Sequence, residues 1–487
     1  MSTRWLAARE LIEEFFDDGS VESWDEPIDI SGYSPQYQEE LRRARERSGC
    51  DESVLTGQGT VHGRRVAFIV GEFRFLAGSI GRDAANRIER AVRRATAERV
   101  PLVASTASGG TRMQEGTPAF VKMIDISRAI MDHRAAGVPY LVHLRHPTTG
   151  GVFASWGSLG HVTVAEPDAL VGFLGPKVYE VVTGEPFPTG VQTSENLAAR
   201  GIIDAVVPMK QLPAVFDDAL KLFCDPMIEP RIERRPKIDL GTLEDDVWDS
   251  ISRTRSGKRA GVRDILRLAS DITLRLQGTG EGERDTAILV ALARLDGVPC
   301  VVVGQDKIAQ TPEAPMGPAA LREARRGMKL AEELNLPLVT VIDTPGAELS
   351  ANAEEGAMAG EIARCIATMS TLTVPSVSVL LGPGTGGGAL ALLPADVTVA
   401  AQHSWLSPLP PEGASAIMYG NADAAAEIAE QQQVSSLDLR RAGVVRHIIA
   451  EFDNDTPRDL ARAVAAEVSH WLRELKSGSL PGSLPGA

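Results

Sequence analysis

Two glycine-rich segments of this chain could bind an anion through backbone N–H groups. The longer one, 382–388, follows the apolar run 374–381 and precedes the apolar run 389–393, where a buried helix is expected to begin. A glycine-rich turn between a strand and a helix leaves N–H groups without partners and directs them at one point. Such a point stabilises a phosphate, or an oxyanion that forms during a reaction. The turn alone does not distinguish the two.

The same pattern occurs earlier in the chain, where the strand-like run 138–146 leads into Gly150 and Gly151. Neighbouring segments also recur in the same order, shifted by 234 to 236 residues. The recurring pairs are 100–103 with 336–339, 138–139 with 374–375, 162–165 with 397–400, and Gly63 with Gly297. A shift that drifts by so little predicts a duplicated domain, each copy carrying one such turn.

Other glycine motifs fit less well. Residues 382–387 satisfy G-x-G-x-x-G, but no acidic residue ends a following strand about 20 residues on, as a dinucleotide site requires. A P-loop is excluded because no Gly-Lys-Ser/Thr follows. A purely structural role, in which the glycines allow tight helix–sheet packing, stays open for a single turn. It explains less readily two turns at matched positions together with the further turn Ser108-Gly109-Gly110.

The side chains near these turns offer no obvious base or nucleophile. His143, His146 and His161 lie near the first turn, and each alone is more readily a structural residue than a catalyst. Asp343 at a predicted strand end could cap a turn or act in function. No serine elbow or cysteine nucleophile accompanies them. The sequence therefore favours a reaction in which the substrate or a cofactor moves the proton.

The composition is that of a soluble globular protein. The 487 residues suffice for two or three domains, and 43% hydrophobic and 24% charged residues are ordinary values. A net charge of −15 argues against nucleic acid or an anionic membrane as the main partner. The four cysteines are widely spaced, which favours reduced thiols and no metal site. A charged N-terminus and the lack of a long apolar run indicate a cytoplasmic protein.

Continuous apolar strands that alternate with helical segments predict α/β domains. In the first copy we expect strands at 66–70 and 101–105, and helices at 82–98 and through 123–130. The predicted organisation is a helical segment at 1–50, a first domain at 51–224, a linker at 225–258, a second domain at 259–476 and a disordered tail at 477–487.

Several motifs resemble the carboxyltransferase of bacterial acetyl-CoA carboxylase. Those that resemble its β half are 108–116, 147–152, 165–167, 173–176 and 188–192. Those that resemble its α half are 342–347, 386–391 and 411–417. The order β then α in one chain is similar to the fused carboxyltransferase subunits of actinobacterial acyl-CoA carboxylases. Two features depart from the family pattern: the four-cysteine zinc ribbon of the split β-subunit is absent, and 382–385 differs from the usual biotin-side loop.

This resemblance implies two tandem crotonase-like domains of the ClpP/crotonase ββα-spiral type. It implies a working site between the first domain of one protomer and the second domain of another, hence a dimer-based homo-oligomer, expected to be a hexamer. Biotin tethered to a carrier protein would release its carboxyl group as CO₂ and take the α-proton of an acyl-CoA, whose enolate then attacks CO₂. The chain has no biotinyl-lysine motif and no ATP-grasp-sized region. The biotin carboxylase and the biotin carboxyl carrier are therefore expected on separate subunits.

The resemblance also assigns roles to residues. By motif matching, Gly150 and Gly151 would stabilise the thioester enolate, and Gly388 and Ala389 would stabilise the charge that develops on the biotin ureido oxygen. Further substrate-binding candidates are Ser108, Gly109, Gly110, Arg112, Gly387 and Ala391, of which Arg112 and the turn 108–110 are assigned to the coenzyme A side. Ala391 stands where related enzymes tune acyl length.

The sequence thus predicts a biotin-dependent carboxyltransferase that converts acetyl-CoA, or propionyl-CoA, into the carboxylated thioester, malonyl-CoA in the first case. An alternative of the same fold is a malonate or malonyl-CoA decarboxylase subunit, which would release CO₂ without a biotin carrier. A second alternative is a non-catalytic scaffold subunit, for which changes at Gly388 and Ala389 would leave turnover normal.

Overall fold

The structure is a computed structural model that describes residues 5–238 and 246–478. Most of the tail predicted at 477–487 lies outside these residues. The chain forms two compact units, Met1–Lys221 with Gly280–Gly282, and Leu222–Thr279 with Glu283–Ala487. No helix among the described residues has the length and apolar character needed to cross a membrane.

The first unit is built on an eight-stranded sheet. Its strands are β1 (Glu22–Ser23), β2 (Val54–Val61), β3 (Arg64–Gly71), β4 (Leu102–Ser108), β5 (Tyr140–Thr149), β6 (Val162–Ala165), β7 (Val171–Gly172) and β8 (Ala205–Val206). Their order is β1-β2-β3-β4-β5-β6-β8, with β7 beside β5. The pairs β1–β2 and β2–β3 are antiparallel, and all pairs from β3 onward are parallel.

Seven helices accompany this sheet. They are α1 (Ala8–Phe15), α2 (Pro35–Ser48), α3 (Arg82–Ala97), α4 (Thr117–Ala135), α5 (Pro176–Thr183), α6 (Ser194–Ala199) and α7 (Leu212–Cys224), the last of which crosses the unit boundary. Apolar faces of α3 and α4 pack against β3, β4 and β5 in one core. Aromatic rings of α1 and the residue after it cover the other face, where Phe16 contacts Phe68 and Phe15 contacts Phe216.

The second unit repeats this sheet. Its strands are β9 (Ser270–Leu276), β10 (Ile288–Leu295), β11 (Val298–Gln305), β12 (Leu338–Thr344), β13 (Ser376–Thr385), β14 (Val397–Ala401), β15 (Trp405–Ser407) and β16 (His447–Ile449). Their order is β9-β10-β11-β12-β13-β14-β16, with β15 beside β13. Again the first three strands are antiparallel and the others parallel.

The helices of the second unit flank its sheet. They are α8 (Val247–Arg255), α9 (Val262–Leu268), α10 (Pro318–Glu333), α11 (Ala351–Glu355), α12 (Met358–Ser370), α13 (Gly386–Leu390), α14 (Pro411–Tyr419), α15 (Ala425–Gln431), α16 (Ser436–Arg441) and α17 (Pro457–Ser477). Helices α9 and α17 pack on one face of the sheet. Helix α10 packs on β10 and β11, where Gly327 lies against Val303 and Val290.

The segment predicted as a linker is packed where it is described. Helix α8 lies within it, and Val247 and Ile251 pack with Trp405 of the second unit. Ahead of α8, Arg235 forms an ion pair with Asp455 at 2.6 Å. The proline and charged residues of this segment predicted a linker. In the structure its apolar side chains and Arg235 contact residues of the second unit.

The duplication inferred from the sequence is visible in the elements. Strands β4 and β12, and helices α3 and α10, have equal lengths and begin 236 residues apart. The hairpins also match: the two-residue loop His62-Gly63 has φ values of 48° and 79°, and Asp296-Gly297 has 41° and 86°. Positive φ at both central residues is the geometry that suits right-twisted antiparallel strands.

One buried carboxyl lies at the end of β12. Asp343 is 3% exposed, and its Oδ1 atom has no hydrogen-bond partner in the described part of the chain. Burial disfavours the charged form and raises the pKa of Asp343 from 3.8 to about 7, although Lys307 and Arg259 act in the opposite direction. The folded protein therefore holds a proton that the unfolded chain releases between about pH 4 and pH 7.

This proton predicts a pH-dependent stability. Because the pKa of Asp343 is raised by folding, its contribution lowers the free energy of unfolding as the pH rises through that window. In Asp343→Asn, the decrease between pH 5 and pH 8 should be smaller than in the unmodified protein, as measured by denaturant unfolding at both pH values. The exposed Asp271→Asn serves as the control and should keep the full decrease. An equally steep decrease in Asp343→Asn would contradict the assignment.

Candidate active site

The carboxyl end of β5 leads into the first glycine turn. Gly150 has a left-handed φ of 62°, a conformation that glycine adopts without strain. A Cβ atom at this position would lie 3.3 Å from the Cα atom of Gly110. Gly110 itself has a φ of 104°. The two glycine segments predicted from the sequence, 108–110 and 150–151, are therefore brought into direct backbone contact.

Three successive N–H groups follow Gly150. Over residues 5–238 and 246–478, the N–H groups of Gly151, Val152 and Phe153 have no hydrogen-bond acceptor. The chain turns back at Ala154, whose N–H donates to the Gly150 carbonyl at 3.0 Å. Because Val152 is fully buried and its neighbours are partly buried, these donors are set in a protein environment rather than in open water. Preorganised donors of this kind stabilise a developing oxyanion.

The second glycine turn lies at the carboxyl end of β13. Gly386 has a φ of 63° and begins helix α13, with Thr385 at the N-cap. The N-cap carbonyl accepts the first intrahelical hydrogen bond, which by the helix geometry comes from the Ala389 N–H. The N–H groups of Gly387 and Gly388 precede that bond and have no intrahelical acceptor. In this structure the predicted donor Ala389 is engaged within the helix, and the donors at this turn are the two glycines before it.

The two turns occupy equivalent positions in the duplicated fold. Gly150 and Gly386 are 236 residues apart and have nearly the same φ. Gly151 faces Met123 of α4, and its counterpart Gly387 faces Ile362 of α12. The counterpart of Gly388 in the first copy is consequently Val152. Gly150-Gly151 and Gly388-Ala389, to which the family resemblance assigns the two roles, therefore do not occupy equivalent positions of the two turns.

The loops that support the turns are also duplicated. The Ser108 hydroxyl accepts a hydrogen bond from the Gly110 N–H at 3.0 Å, and the Thr344 hydroxyl accepts one from the Gly346 N–H at 3.1 Å. Gly346, like Gly110, has a positive φ, here 134°. Ser108 and Gly109 were predicted to bind substrate, and the structure places Ser108 as a buried residue that shapes the loop.

Gln305, which the sequence did not single out, supports the second turn. Its side chain is fully buried at the end of β11. The Nε2 atom donates to the Gly388 carbonyl at 2.7 Å, and Oε1 accepts from the Asp343 N–H at 3.2 Å. Since α13 is a single short helix, its last carbonyls depend on such bonds from outside. The sequence offers one sign of this role, a polar residue after seven strand residues. It does not reveal the partner, Gly388, which lies 83 residues further along the chain.

Helix formation after the two turns differs from the prediction. The apolar run 389–393 was expected to form the first turns of a longer helix, but α13 ends at Leu390. Pro394 disfavours helical backbone at the residue before it, and the Thr340 and Ser378 hydroxyls donate to the Leu392 carbonyl at 2.7 Å and 2.8 Å. In the first copy, residues 151–155 form turns rather than an α-helix.

Arg112 has a different environment from the one predicted. It was assigned to the coenzyme A side, yet its side chain is 1% exposed and forms a bidentate ion pair with Glu52. It also donates to the Ser79 carbonyl at 2.6 Å and to the Tyr37 hydroxyl at 3.3 Å. Burial alone would lower the pKa of Arg112, but the Glu52 carboxylate raises it. The guanidinium offers no free surface to a ligand and joins the N-terminal segment to the loop after β4.

The remaining side-chain candidates are embedded in the scaffold. His143 contacts the Ser105 hydroxyl at 3.1 Å, and burial lowers its pKa to about 3, so the ring is neutral. His146 stacks on Trp5 with ring centroids 4.4 Å apart. Ala391 is fully buried, and its N–H donates to the Gly387 carbonyl at 2.9 Å. The chemistry that the geometry supports at both turns is therefore that of backbone N–H donors.

Comparison with known proteins agrees with this duplicated arrangement. Residues 12–214 match the family described as carboxyl transferase domain, and residues 236–480 match the family described as acetyl co-enzyme A carboxylase carboxyltransferase-like. The crystal structure of transcarboxylase 12S resembles the chain with a TM-score of 0.77 at 21% identity, covering 99% of this chain and 91% of the other. The two sheets are therefore tandem carboxyltransferase domains of the crotonase-like fold.

Relatives at higher identity extend over nearly the whole chain. The probable biotin-dependent acyl-coenzyme A carboxylase beta3 subunit of Mycobacterium tuberculosis is 53% identical over 477 residues, which are 96% of this chain and 95% of the relative. The fused acetyl-coenzyme A carboxylase carboxyl transferase subunits beta/alpha of Saccharopolyspora erythraea are 36% identical, covering 96% of this chain and 84% of the relative. The chain belongs to the carboxyltransferase subunits of the biotin-dependent acyl-CoA carboxylases.

The buried pair Arg112–Glu52 yields a stability prediction. Glu52→Gln removes the bidentate partner of the buried guanidinium and leaves it with the Glu115 carboxylate, whose Oε1 atom lies 3.6 Å away, so the free energy of unfolding should fall by up to about 3–5 kcal/mol. Denaturant unfolding followed by circular dichroism measures this change. The control is Glu39→Gln, because Glu39 pairs with Arg42 on the surface, where both side chains are about half exposed. An exposed pair contributes about 0–1 kcal/mol. Equal losses in the two variants would refute the buried role.

Proposed function

We propose that this protein is the carboxyltransferase component of an acyl-CoA carboxylase, which moves a carboxyl group from carboxybiotin on a carrier protein to an acyl-CoA. The observation that carries the proposal is the pair of equivalent turns, each presenting backbone N–H groups behind a left-handed glycine. Two separate oxyanions arise in such a reaction, one on the thioester and one on the ureido group. A chain with two sets of backbone donors suits that demand.

The first turn is proposed to bind the thioester. Within the described part of the chain, the N–H groups of Gly151, Val152 and Phe153 have no acceptor, and they directly follow Gly150, which contacts Gly110. An enolate oxygen at this point would be stabilised by donors that need no rearrangement when charge develops. Loss of one such donor typically costs on the order of 10²–10³ in rate.

The second turn is proposed to bind the ureido oxygen of biotin. The residues present fit this group, because Gly387 and Gly388 have N–H groups without intrahelical acceptors and no side chains to obstruct approach. A Cβ atom at Gly388 would lie 2.4 Å from the Cε atom of Met316. When bound, carboxybiotin supplies the carboxyl group and a ureido nitrogen that accepts the α-proton of the acyl-CoA. The role of the chain is to hold the ureido oxygen by these donors, which Gln305 fixes in place.

Apolar surface next to the turns supports an oligomer. In the first unit, Phe120 on α4 and Val181 on α5 are 60% and 85% exposed. In the second unit, Leu390 on α13 and Ile417 on α14 are 48% and 73% exposed. Large apolar side chains that are exposed mark interaction surfaces where they form a contiguous patch. We propose that a second protomer covers these helices, so that a first domain faces the second domain of a partner in a dimer-based assembly, a hexamer as in transcarboxylase 12S.

For the acyl group we propose acetyl-CoA first and propionyl-CoA second. The preference rests on the motifs shared with acetyl-CoA carboxylases and on the fused relative of that name. The relative at 53% identity is named only for acyl-CoA, so the choice is settled by assay. A separate biotin carboxylase and carrier subunit would complete the enzyme, and the cytoplasm is the proposed compartment.

The direct test of the function is the reaction in reverse. Purified protein is mixed with malonyl-CoA or methylmalonyl-CoA and with biocytin, and the formation of acetyl-CoA or propionyl-CoA is followed. We expect turnover that depends on biocytin and is faster with malonyl-CoA. CO₂ release without biocytin would instead indicate a decarboxylase. Lack of turnover, even after addition of a biotinylated carrier subunit, would contradict the proposal and favour a scaffold role.

Gln305 provides a test of how the second turn works. Gln305→Leu removes the donor to the Gly388 carbonyl and leaves the Asp343 N–H without its acceptor. Because misplaced donors lose transition-state stabilisation, kcat should fall about 10-fold to 100-fold. The KM for malonyl-CoA should change little, since the thioester is assigned to the other turn. Steady-state kinetics in the reverse assay separates the two constants.

The control for this variant is Gln402→Leu. Like the fully buried Gln305, the partly buried Gln402 binds backbone in the second unit, where its Oε1 atom accepts from the Glu451 N–H at 3.0 Å. Among the described residues its side chain has no hydrogen bond to α13. Thermal unfolding of both variants reports general destabilisation. Equal losses of kcat in the two variants, or a KM effect alone in Gln305→Leu, would refute the positioning role.

A further inference from the structure

A basic cavity lies at one edge of the second sheet, apart from the residues of both glycine turns. It has a volume of about 500 Å³ and adjoins β16, the outermost strand. Its walls come from the segment before α8, from α16 and β16, and from the C-terminal part of α17. The residues that matter for its chemistry are Arg234, Lys237, Arg440, Arg446, His447 and Trp471.

A buried carboxylate organises one wall of the cavity. Glu467 is 3% exposed and accepts two hydrogen bonds from the Arg234 guanidinium, at 3.0 Å and 2.9 Å. It also accepts one from the Trp471 indole N–H at 2.7 Å. This geometry fixes the arginine and the indole in place. The Glu467 carboxylate also faces a second residue of the cavity, because its Oε1 atom lies 3.6 Å from the Nε2 atom of His447.

Three cations of the cavity remain uncompensated. Among the described residues, Lys237, Arg440 and Arg446 have no carboxylate partner within ion-pair distance. The Arg446 guanidinium lies over the Trp471 ring, 5.8 Å from its centroid. Like charges gathered in one concave site repel one another, and low-dielectric walls strengthen their field. In a chain of net charge −15, this local excess of three positive charges contrasts with the rest of the molecule.

We infer that this cavity binds a small polyphosphate anion. Arginine and lysine are the side chains that recognise phosphate oxygens, and the forked guanidinium does so through paired N–H groups. The His447 ring lies on the same wall, with its Nε2 atom 3.6 Å from the Oε1 atom of Glu467. A ligand with two or three phosphate groups matches the three free charges, and the volume accommodates it. The inference does not depend on the proposed carboxyl transfer, because it uses none of the residues assigned to that reaction.

The experiment is a calorimetric titration of the full-length protein with inorganic tripolyphosphate at physiological ionic strength. We expect saturable binding with one site per chain. Arg440→Gln combined with Arg446→Gln should weaken it at least about 10-fold, because two charge-assisted contacts are lost. Arg234 is not substituted, because its removal would leave the buried Glu467 carboxylate without its guanidinium partner.

Two further variants keep the test decisive. Lys237→Gln changes an exposed side chain that folding does not require, and it should weaken binding by a smaller factor. Arg462→Gln removes an exposed charge from α17 outside the cavity and should leave binding unchanged. The inference is overturned if tripolyphosphate shows no saturable binding. It is also overturned if the cavity variants bind as the unmodified protein does, or if Arg462→Gln weakens binding as much as they do.

Discussion

Close backbone contact at the carboxyl ends of two parallel strands is the constraint on which this structure depends. Gly110 and Gly150 approach so closely that a methyl group on either would press on the other, and both have φ values that glycine alone adopts cheaply. The strand pairing shifts register just before this point, between Thr106 and Ser108, and again between Ile342 and Thr344 in the second sheet. Pairing resumes after each shift, at Ser108 with Thr148 and at Thr344 with Gly384, and the two glycine turns follow these last pairs.

The surrounding fold serves to hold those donors still. Parallel strands bring loops from neighbouring β–α units to one edge of each sheet, where ligand sites of α/β proteins gather. Hydroxyls of Ser108 and Thr344 close the supporting loops, and the Gln305 amide links the second turn to the end of β12. This arrangement suits the proposed function, in which backbone donors and a carrier-bound cofactor share the chemistry.

The sequence predicted the parts that are local or repeated. The duplication, the strands at 66–70 and 101–105 and the helix at 82–98 followed from periodicity and glycine placement. Contacts between residues that are far apart in the sequence could not be predicted in this way. Nothing in the sequence near Gln305 indicates that it binds Gly388, and Arg112 matched a family motif while its buried partner Glu52 lies 60 residues away. The length of α13 depended on hydroxyls of two other strands, which overrode the helical character of the run 389–393.

The two copies differ in the space that one equivalent position offers to a side chain. Val152 occupies this position in the first copy with a buried side chain, whereas in the second copy a Cβ atom built on Gly388 would lie 2.4 Å from the Cε atom of Met316. The first copy therefore accommodates a branched side chain at a point where the second accepts a methyl group only if the end of the Met316 side chain moves. A given substitution should therefore have different effects at the two equivalent positions, although the two segments have a common origin. The two turns, which derive from one duplicated segment, therefore differ at this position.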